Sequence, residues 1–211
     1  MNPEKRFLGL GNPELRAAAA DGGGMPTIVG FVAVFDQWSP VYGGSRWGWR
    51  EKIAPTFFDD VMDDDPVSLF NHDPNYVLGR PSAGNNILEK KTEGLWSETT
   101  PPDTQTIRDL VITPIQMRII VGASFAFTLP DDDTGDEWNV GPDGVMERVL
   151  LKADELYDTS PAVTQPWYPQ TTSDLKSRAQ RSLAKLESNG VNVLGRTAVL
   201  RLQNEILRLR A

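Results

Sequence analysis

The segment TIVGFVAVF, residues 27–35, carries the signal that decides the fold class of this chain. It consists largely of β-branched and aromatic residues, and the turn-forming stretch DQWSPVYGGS follows at residues 36–45. Both features favour a buried strand over a helix. A second such run, VGASFAFTL at residues 121–129, places Ser124 among small and aromatic residues. The chain is therefore predicted to have a β-rich core that begins near residue 27.

Two segments between these strands have a different period. In residues 50–66, Pro55 stands where a helix would begin, and Phe57, Phe58, Val61 and Met62 follow at helical spacing. This pattern predicts a short amphipathic helix that Pro66 closes. Residues 104–120, TQTIRDLVITPIQMRII, are apolar with a helical or mixed period.

The two ends of the chain differ from this core. Residues 1–26 are rich in Gly, Ala and Pro and poor in large apolar residues, which predicts a flexible N-terminal arm. Residues 172–211 have a helical pattern, and the stretch 196–211 repeats Leu and Ile near heptad spacing with Arg between them, which predicts a helical tail. The predicted division is therefore an arm at 1–26, a domain at 27–171 and a tail at 172–211.

Composition excludes several classes of function. The chain has 211 residues, which suits one domain, and 21 basic against 29 acidic side chains give a formal charge of −8. This balance argues against non-specific binding to nucleic acid or to an anionic membrane. Cysteine is absent, so disulfides, thiolate catalysis and sulfur-based zinc sites are excluded. No apolar run approaches the ~20 residues of a membrane span, and no signal-peptide core is present, so a soluble, non-secreted protein is expected.

The only histidine, His72, lies in the stretch VSLFNHDPNYVLGR at residues 67–80. A serine hydroxyl is a poor nucleophile unless a base takes its proton, and imidazole, with an unperturbed pKa of ~6.5, suits that role. A carboxylate commonly fixes the tautomer of such a histidine. Ser124 and the acidic pair Glu155 and Asp158 supply the other residue types. Residue types alone leave open a histidine in a turn or core and a serine that merely allows close packing.

Other motifs have simpler interpretations. The three-aspartate runs at 63–65 and 131–133 lack the alternating ligand spacing of a calcium loop and are expected to be solvated loops. GLGNPE, at residues 9–14, lacks the lysine and the preceding strand of a phosphate loop. We therefore expect no metal and no cofactor.

The motifs FNHDPNYVLGR (70–80), PPDT (101–104), ASFAF (123–127) and DTSP (158–161) occur in an order that resembles the prohead protease family of tailed bacteriophages. The resemblance covers about residues 28–171. These capsid-maturation serine peptidases are related in fold to herpesvirus assemblin. The resemblance implies a β-rich α+β fold: an assemblin-like closed or partly closed β-barrel surrounded by a few helices, with a helical C-terminal tail.

The resemblance also implies site roles. The family's histidine in NHD is the general base and its serine in SF-F is the nucleophile, which correspond to His72 and Ser124. The family typically has Glu in an E-V-S-P motif, where this chain has Asp158 in DTSP. Asp158 is therefore the expected third member and Glu155 the alternative, while a Ser-His dyad stays open. Arg148, by analogy with an arginine-bearing loop in assemblin, and Gly122 are the candidates for oxyanion support.

The implied function is a serine endopeptidase of prohead maturation, acting in the host cytoplasm inside the immature capsid. Its expected substrates are the scaffold and the major capsid protein, together with its own tails. A homodimer or higher oligomer is a further expectation, whereas nucleic acid and membrane are not expected partners. One alternative is a catalytically inactive capsid assembly or scaffolding protein with the same fold. A β-rich binding module is what composition alone predicts.

Overall fold

A computed structural model describes residues 3–8, 13–16, 24–41, 49–162, 184–186 and 188. These residues form twelve strands in three sheets and a few short helical segments. The β-rich α+β class predicted from the sequence is confirmed. The strands, numbered in chain order, are β1 Glu4–Leu8, β2 Glu14–Arg16, β3 Thr27–Val34, β4 Trp49–Ile53, β5 Val67–Phe70, β6 Asp73–Gly79, β7 Asn86–Lys90, β8 Gly94–Thr99, β9 Gly122–Thr128, β10 Asp136–Val140, β11 Met146–Leu150 and β12 Glu155–Ala162.

The largest sheet has five strands in the order β1-β9-β12-β5-β6. Within it β12 pairs antiparallel with β9 and parallel with β5, while β1 covers the other side of β9. The second sheet has the order β2-β3-β8-β7 and the third β10-β11-β4. Strand β9 thus lies inside the largest sheet, and all seven of its residues are buried.

The main core lies where aromatic residues of β9 meet the turns after β4. Phe57 packs edge-on against Phe127, with 5.0 Å between ring centroids, and Phe58 packs against Phe125 at 5.3 Å. All four rings are almost completely buried. Because alternate residues of a strand point to opposite faces, this packing leaves Ser124 and Ala126 on the other face of β9.

The helical segment at residues 105–116 covers a second apolar cluster. It comprises α1 (Gln105–Ile107), a π-helical stretch (Arg108–Ile112) and α2 (Thr113–Gln116). Pro114 has no N–H to donate within the helix, which accounts for the wider turn that precedes it. The buried side chains of this segment join others from the rest of the chain in one cluster: Met25, Ile28, Leu78, Ile107, Val111, Ile112, Ile115 and Ile120.

The predicted helix around Phe57 is instead a series of hydrogen-bonded turns. Its backbone bonds span three residues, as in Phe57 N–H to Ala54 O and Val61 N–H to Phe58 O. These tighter turns still bury Phe57, Phe58 and Val61, so the apolar pattern marked the core correctly and the conformation incorrectly.

The expected barrel is not formed by the residues that the structure describes. Closure would require the two outer strands of the largest sheet, β1 and β6, to pair with each other, and three strands separate them. The described strands form three distinct sheets. An isolated bridge between Phe35 and Ile53 links the end of β3, in the second sheet, to β4 in the third. The architecture is therefore a set of open, packed sheets.

The predicted N-terminal arm contributes strands β1 and β2 to two different sheets. Its glycine- and alanine-rich part, residues 17–23, lies outside the described residues. Most of the predicted helical tail also lies outside them, although residues 184–186 and 188 are helical. In the part of the chain that is described, no helix has the length and apolar character needed to cross a bilayer.

Candidate active site

His72 lies in the two-residue turn that joins β5 to β6. Asn71 and His72 have φ values of 54° and 59°, the sign that a tight type I′ hairpin requires at both central positions. Histidine in this left-handed region is uncommon and costs about 1–2 kcal/mol. Two backbone N–H groups of the turn donate to β12: Asn71 N–H to the Pro161 carbonyl oxygen and His72 N–H to the Ser160 side-chain Oγ, each at 3.2 Å. The strain is therefore maintained by contacts with the neighbouring strand.

The His72 ring joins two side chains from different strands. Its Nε2 lies 2.6 Å from Ser124 Oγ, and its Nδ1 lies 2.5 Å from Asp158 Oδ1. An ionised carboxylate only accepts hydrogen bonds, so it fixes the proton on Nδ1. Nε2 is then free to accept the Ser124 hydroxyl proton. The structure thus brings together the first three residues of the sequence prediction.

Ser124 is positioned by the central part of β9, directly opposite Ser160 of β12. Its side chain is fully buried, with 0% exposed surface. Since its flanking residues Ala123 and Phe125 point into the main core, the hydroxyl is held by a rigid strand rather than by a loop.

Asp158 reaches the site because β12 contains a bulge. Leu156 pairs with Phe127 and Asp158 pairs with Ala126, so Tyr157 is an extra residue in the register. If β12 continued in regular register without the bulge, Asp158 would lie opposite Phe125 and its side chain would point toward the aromatic core. The bulge re-aims the carboxylate to the face of the sheet that carries Ser124.

Ser160 is the site residue that the sequence prediction missed. It accepts the His72 backbone N–H and donates to Asp158 Oδ1 at 3.0 Å, and it is fully buried. The available signal was its position two residues after Asp158 in a strand, which places both side chains on one face.

The other predicted residues are placed differently. Glu155 begins β12, opposite Thr128, and its side chain is exposed; its contact with Tyr157 raises the pKa of that phenol. Gly122 is buried at the start of β9, opposite Ala162. The structure does not bring Glu155 to His72.

Arg148 is engaged elsewhere, in a largely buried cluster that we call the charge cluster: Glu4, Arg6, Glu51, Asp136 and Arg148. Arg148 donates from Nε to Asp136 at 2.7 Å and from Nη1 to Glu4 at 2.9 Å, and it also pairs with Glu51 at 3.4 Å. Burial alone would lower the pKa of this guanidinium, but the carboxylates raise it. With its donors occupied in this way, Arg148 is not brought to the His72–Ser124 pair.

The pKa of Glu4 is set by burial and by the charges of the same cluster. Burial by itself would raise the pKa of this carboxyl, but the guanidiniums of Arg148 and Arg6 lower it to about 2. Among the described residues, no group of three or more His, Asp or Glu side chains lies close enough to hold a metal ion.

The buried Ser124 hydroxyl, the His72 imidazole and the Asp158 carboxyl group form one hydrogen-bonded line. Such a line can transfer a proton from the hydroxyl as it attacks a carbonyl carbon, which is the chemistry of serine hydrolases.

Comparison with known proteins agrees with this class. The family model described as caudovirus prohead serine protease matches residues 13–186, and the chain belongs to that family. Membership implies a serine protease that acts on capsid proteins inside the phage procapsid in the host cytoplasm. No curated protein and no solved structure matches the chain.

Proposed function

We propose that this protein is the endopeptidase that cleaves capsid and scaffold precursors during prohead maturation, with Ser124 as nucleophile, His72 as general base and Asp158 as the orienting acid. The observation that carries the proposal is the pair of hydrogen bonds on opposite sides of one imidazole, 2.6 Å to Ser124 Oγ and 2.5 Å to Asp158 Oδ1.

The chemistry follows from these contacts. His72 Nε2 takes the proton as Ser124 Oγ attacks the peptide carbonyl, and the imidazolium that forms is stabilised by the Asp158 carboxylate. The same nitrogen returns the proton to the leaving amine, which leaves an acyl-enzyme on Ser124. Water then attacks the acyl group while His72 again acts as base, and the carboxylic acid product departs.

Ser160 is proposed as a positioning residue. Its hydroxyl fixes the His72 backbone on one side and the Asp158 carboxylate on the other. Through these two contacts, Ser160 keeps the ring in line with both partners.

Gly122 remains the proposed oxyanion donor, since its backbone lies two residues before Ser124 on the same strand. Arg148 is given a structural role instead, because its donors already serve three carboxylates. The proposal also includes a fold related to that of assemblin, cleavage of the protein's own tails, and a homodimer or higher oligomer.

The competing function is an assembly or scaffolding protein that lost activity. A protein under no catalytic constraint has little reason to keep a histidine in a strained turn, a bulge that aims a carboxylate and a serine that tethers both.

The deciding experiment co-expresses the chain with its capsid precursor and follows processing on gels. Ser124→Ala and His72→Ala should each abolish processing. Ser97→Ala removes another buried strand hydroxyl, which bonds Asn86 rather than His72; it is the matched control and should process normally. Undiminished processing by Ser124→Ala in a folded protein would exclude the proposed chemistry.

A further inference from the structure

Strand β1 occupies the outer edge of the strand that carries Ser124. The two strands pair antiparallel over five residues, from Glu4 opposite Phe127 to Leu8 opposite Ala123, and Phe7 lies directly opposite Ser124. Residues paired in this way have Cα atoms about 4.5–5.5 Å apart. The backbone of β1 therefore passes beside the nucleophile.

An extended peptide can bind a protein by adding a strand to a free sheet edge, where its main chain supplies the hydrogen bonds. Strand β9 has two edges. The inner edge pairs with β12, which carries Asp158 and Ser160 and cannot leave without dismantling the site. The outer edge is the one that a substrate backbone can use, and β1 fills it.

Access to the Ser124 hydroxyl requires a rearrangement of its neighbours. Ser124 has no exposed surface in this structure, so a peptide carbonyl from another chain cannot reach its hydroxyl until a neighbour moves. Of the two strands that flank it, only β1 carries none of the three residues in contact with His72. It also precedes the family match, which begins at residue 13.

The charge cluster holds β1 in place. Arg6 pairs with Glu51 of β4, and Glu4 pairs with Arg148 of β11 at 2.9 Å. The Arg6 and Glu4 side chains are only 15% and 10% exposed. Since buried ion pairs are costly to break one partner at a time, these charged contacts help to fasten β1.

We propose that β1 is an autoinhibitory strand, docked in the place of an extended substrate and released when its charged contacts to β4 and β11 are lost. This inference rests on the proposed function of Ser124. It assigns the outer edge of β9 to the substrate main chain and assigns residues 4–8 as the resting occupant of that edge.

The first test compares two arginine variants of the full chain. Arg6→Ala removes the contacts with Glu51 and Glu4. Arg16 lies on the other N-terminal strand, β2, and Arg16→Ala removes an exposed ion pair with Glu98. Labelling of Ser124 by a fluorophosphonate probe should rise about tenfold or more in Arg6→Ala, as expected for loss of roughly 1–2 kcal/mol of docking energy. Arg16→Ala should label at the parent rate.

The second test does not depend on weakening a buried cluster. Lys5 lies opposite Ala126, and the chain has no cysteine of its own. The double variant Lys5→Cys/Ala126→Cys can therefore form a single disulfide that locks β1 onto β9. The oxidised form should neither label nor cleave capsid precursor, and reduction of the same sample should restore both.

The two proposals fail in different ways. If the oxidised and reduced forms react equally, or if folded Arg6→Ala labels no faster than the parent, β1 is not inhibitory, although Ser124→Ala would still abolish processing. If Ser124→Ala processes capsid precursor normally, the proposed function itself is wrong.

Discussion

Ser160 lies directly opposite Ser124 across the β9–β12 pair, and both serines contact His72 from opposite ends of the residue. Ser124 Oγ contacts the ring Nε2 at 2.6 Å, while Ser160 Oγ accepts the backbone N–H at 3.2 Å. One cross-strand pair thus sets both the reacting hydroxyl and the main chain that carries its base. The pairing of β9 with β12 therefore determines the geometry of the site.

Ser160→Ala should lower kcat by about 10- to 100-fold with little change in KM, because it loosens His72 without touching the substrate. Ser160→Thr keeps a hydroxyl and should recover part of the rate. The matched control is Thr159→Val, since the Thr159 hydroxyl is buried with no hydrogen-bond partner among the described residues. A purely structural role for Ser160 would show as a lower unfolding temperature with unchanged kcat in the folded fraction.

Asp158→Asn should lower kcat by about 10⁴-fold, because an amide can donate to Nδ1 and so favour the tautomer with its proton on Nε2. Steady-state hydrolysis of a capsid-derived peptide measures this directly. Glu155→Gln decides between the two acidic candidates and should leave kcat unchanged, since Glu155 is exposed and does not contact His72. The opposite pattern, with Glu155→Gln inactive, would reassign the third role.

Arg148→Met should lower the free energy of unfolding by about 3–5 kcal/mol, because it leaves buried carboxylates without their guanidinium. Denaturant unfolding measures this loss. The rate of Ser124 labelling in the folded fraction separates the two roles that Arg148 could have. A structural role leaves that rate unchanged or raises it by freeing β1, whereas loss of an oxyanion donor would lower turnover about 10²- to 10³-fold.

Sequence motifs indicated candidate residues for the site, but not the geometry that joins them. His72, Ser124 and Asp158 could be predicted because each lies in a short motif, and the structure brings them together. The bulge at Tyr157 has no local signal, since it depends on how β12 registers against β9. Ser160 could not be assigned a role until the strand and its face were known.

The N-terminal strands escaped prediction for a different reason. Residues 4–8, EKRFL, are flanked by Gly and Pro and contain too little apolar surface to indicate a strand. Their order comes from partners far along the chain, above all Glu51 and Arg148. Local propensity does not report ion pairs of that separation. The turns around Phe57 show the complementary case, where the apolar period located the core but did not determine the hydrogen-bonding pattern.

The stabilising effect of Glu4 should depend on pH. Burial would raise the pKa of this carboxyl, but Arg148 and Arg6 hold it at about 2, below its ordinary value of 4.5. A carboxyl with a lowered pKa in the folded state stabilises the protein above the unfolded pKa, and this contribution is lost as pH falls through the folded pKa. The contribution is on the order of 3 kcal/mol at neutral pH.

Glu4→Gln keeps the size of the side chain and removes its charge. The difference in unfolding free energy between the parent and Glu4→Gln should therefore be largest above pH 4.5 and shrink steadily toward pH 2. Denaturant unfolding at a series of pH values measures this difference, and a gap that stays constant over that range would contradict the assignment. Because Glu4 fastens β1, Ser124 labelling in Glu4→Gln at neutral pH should also be faster than in the parent.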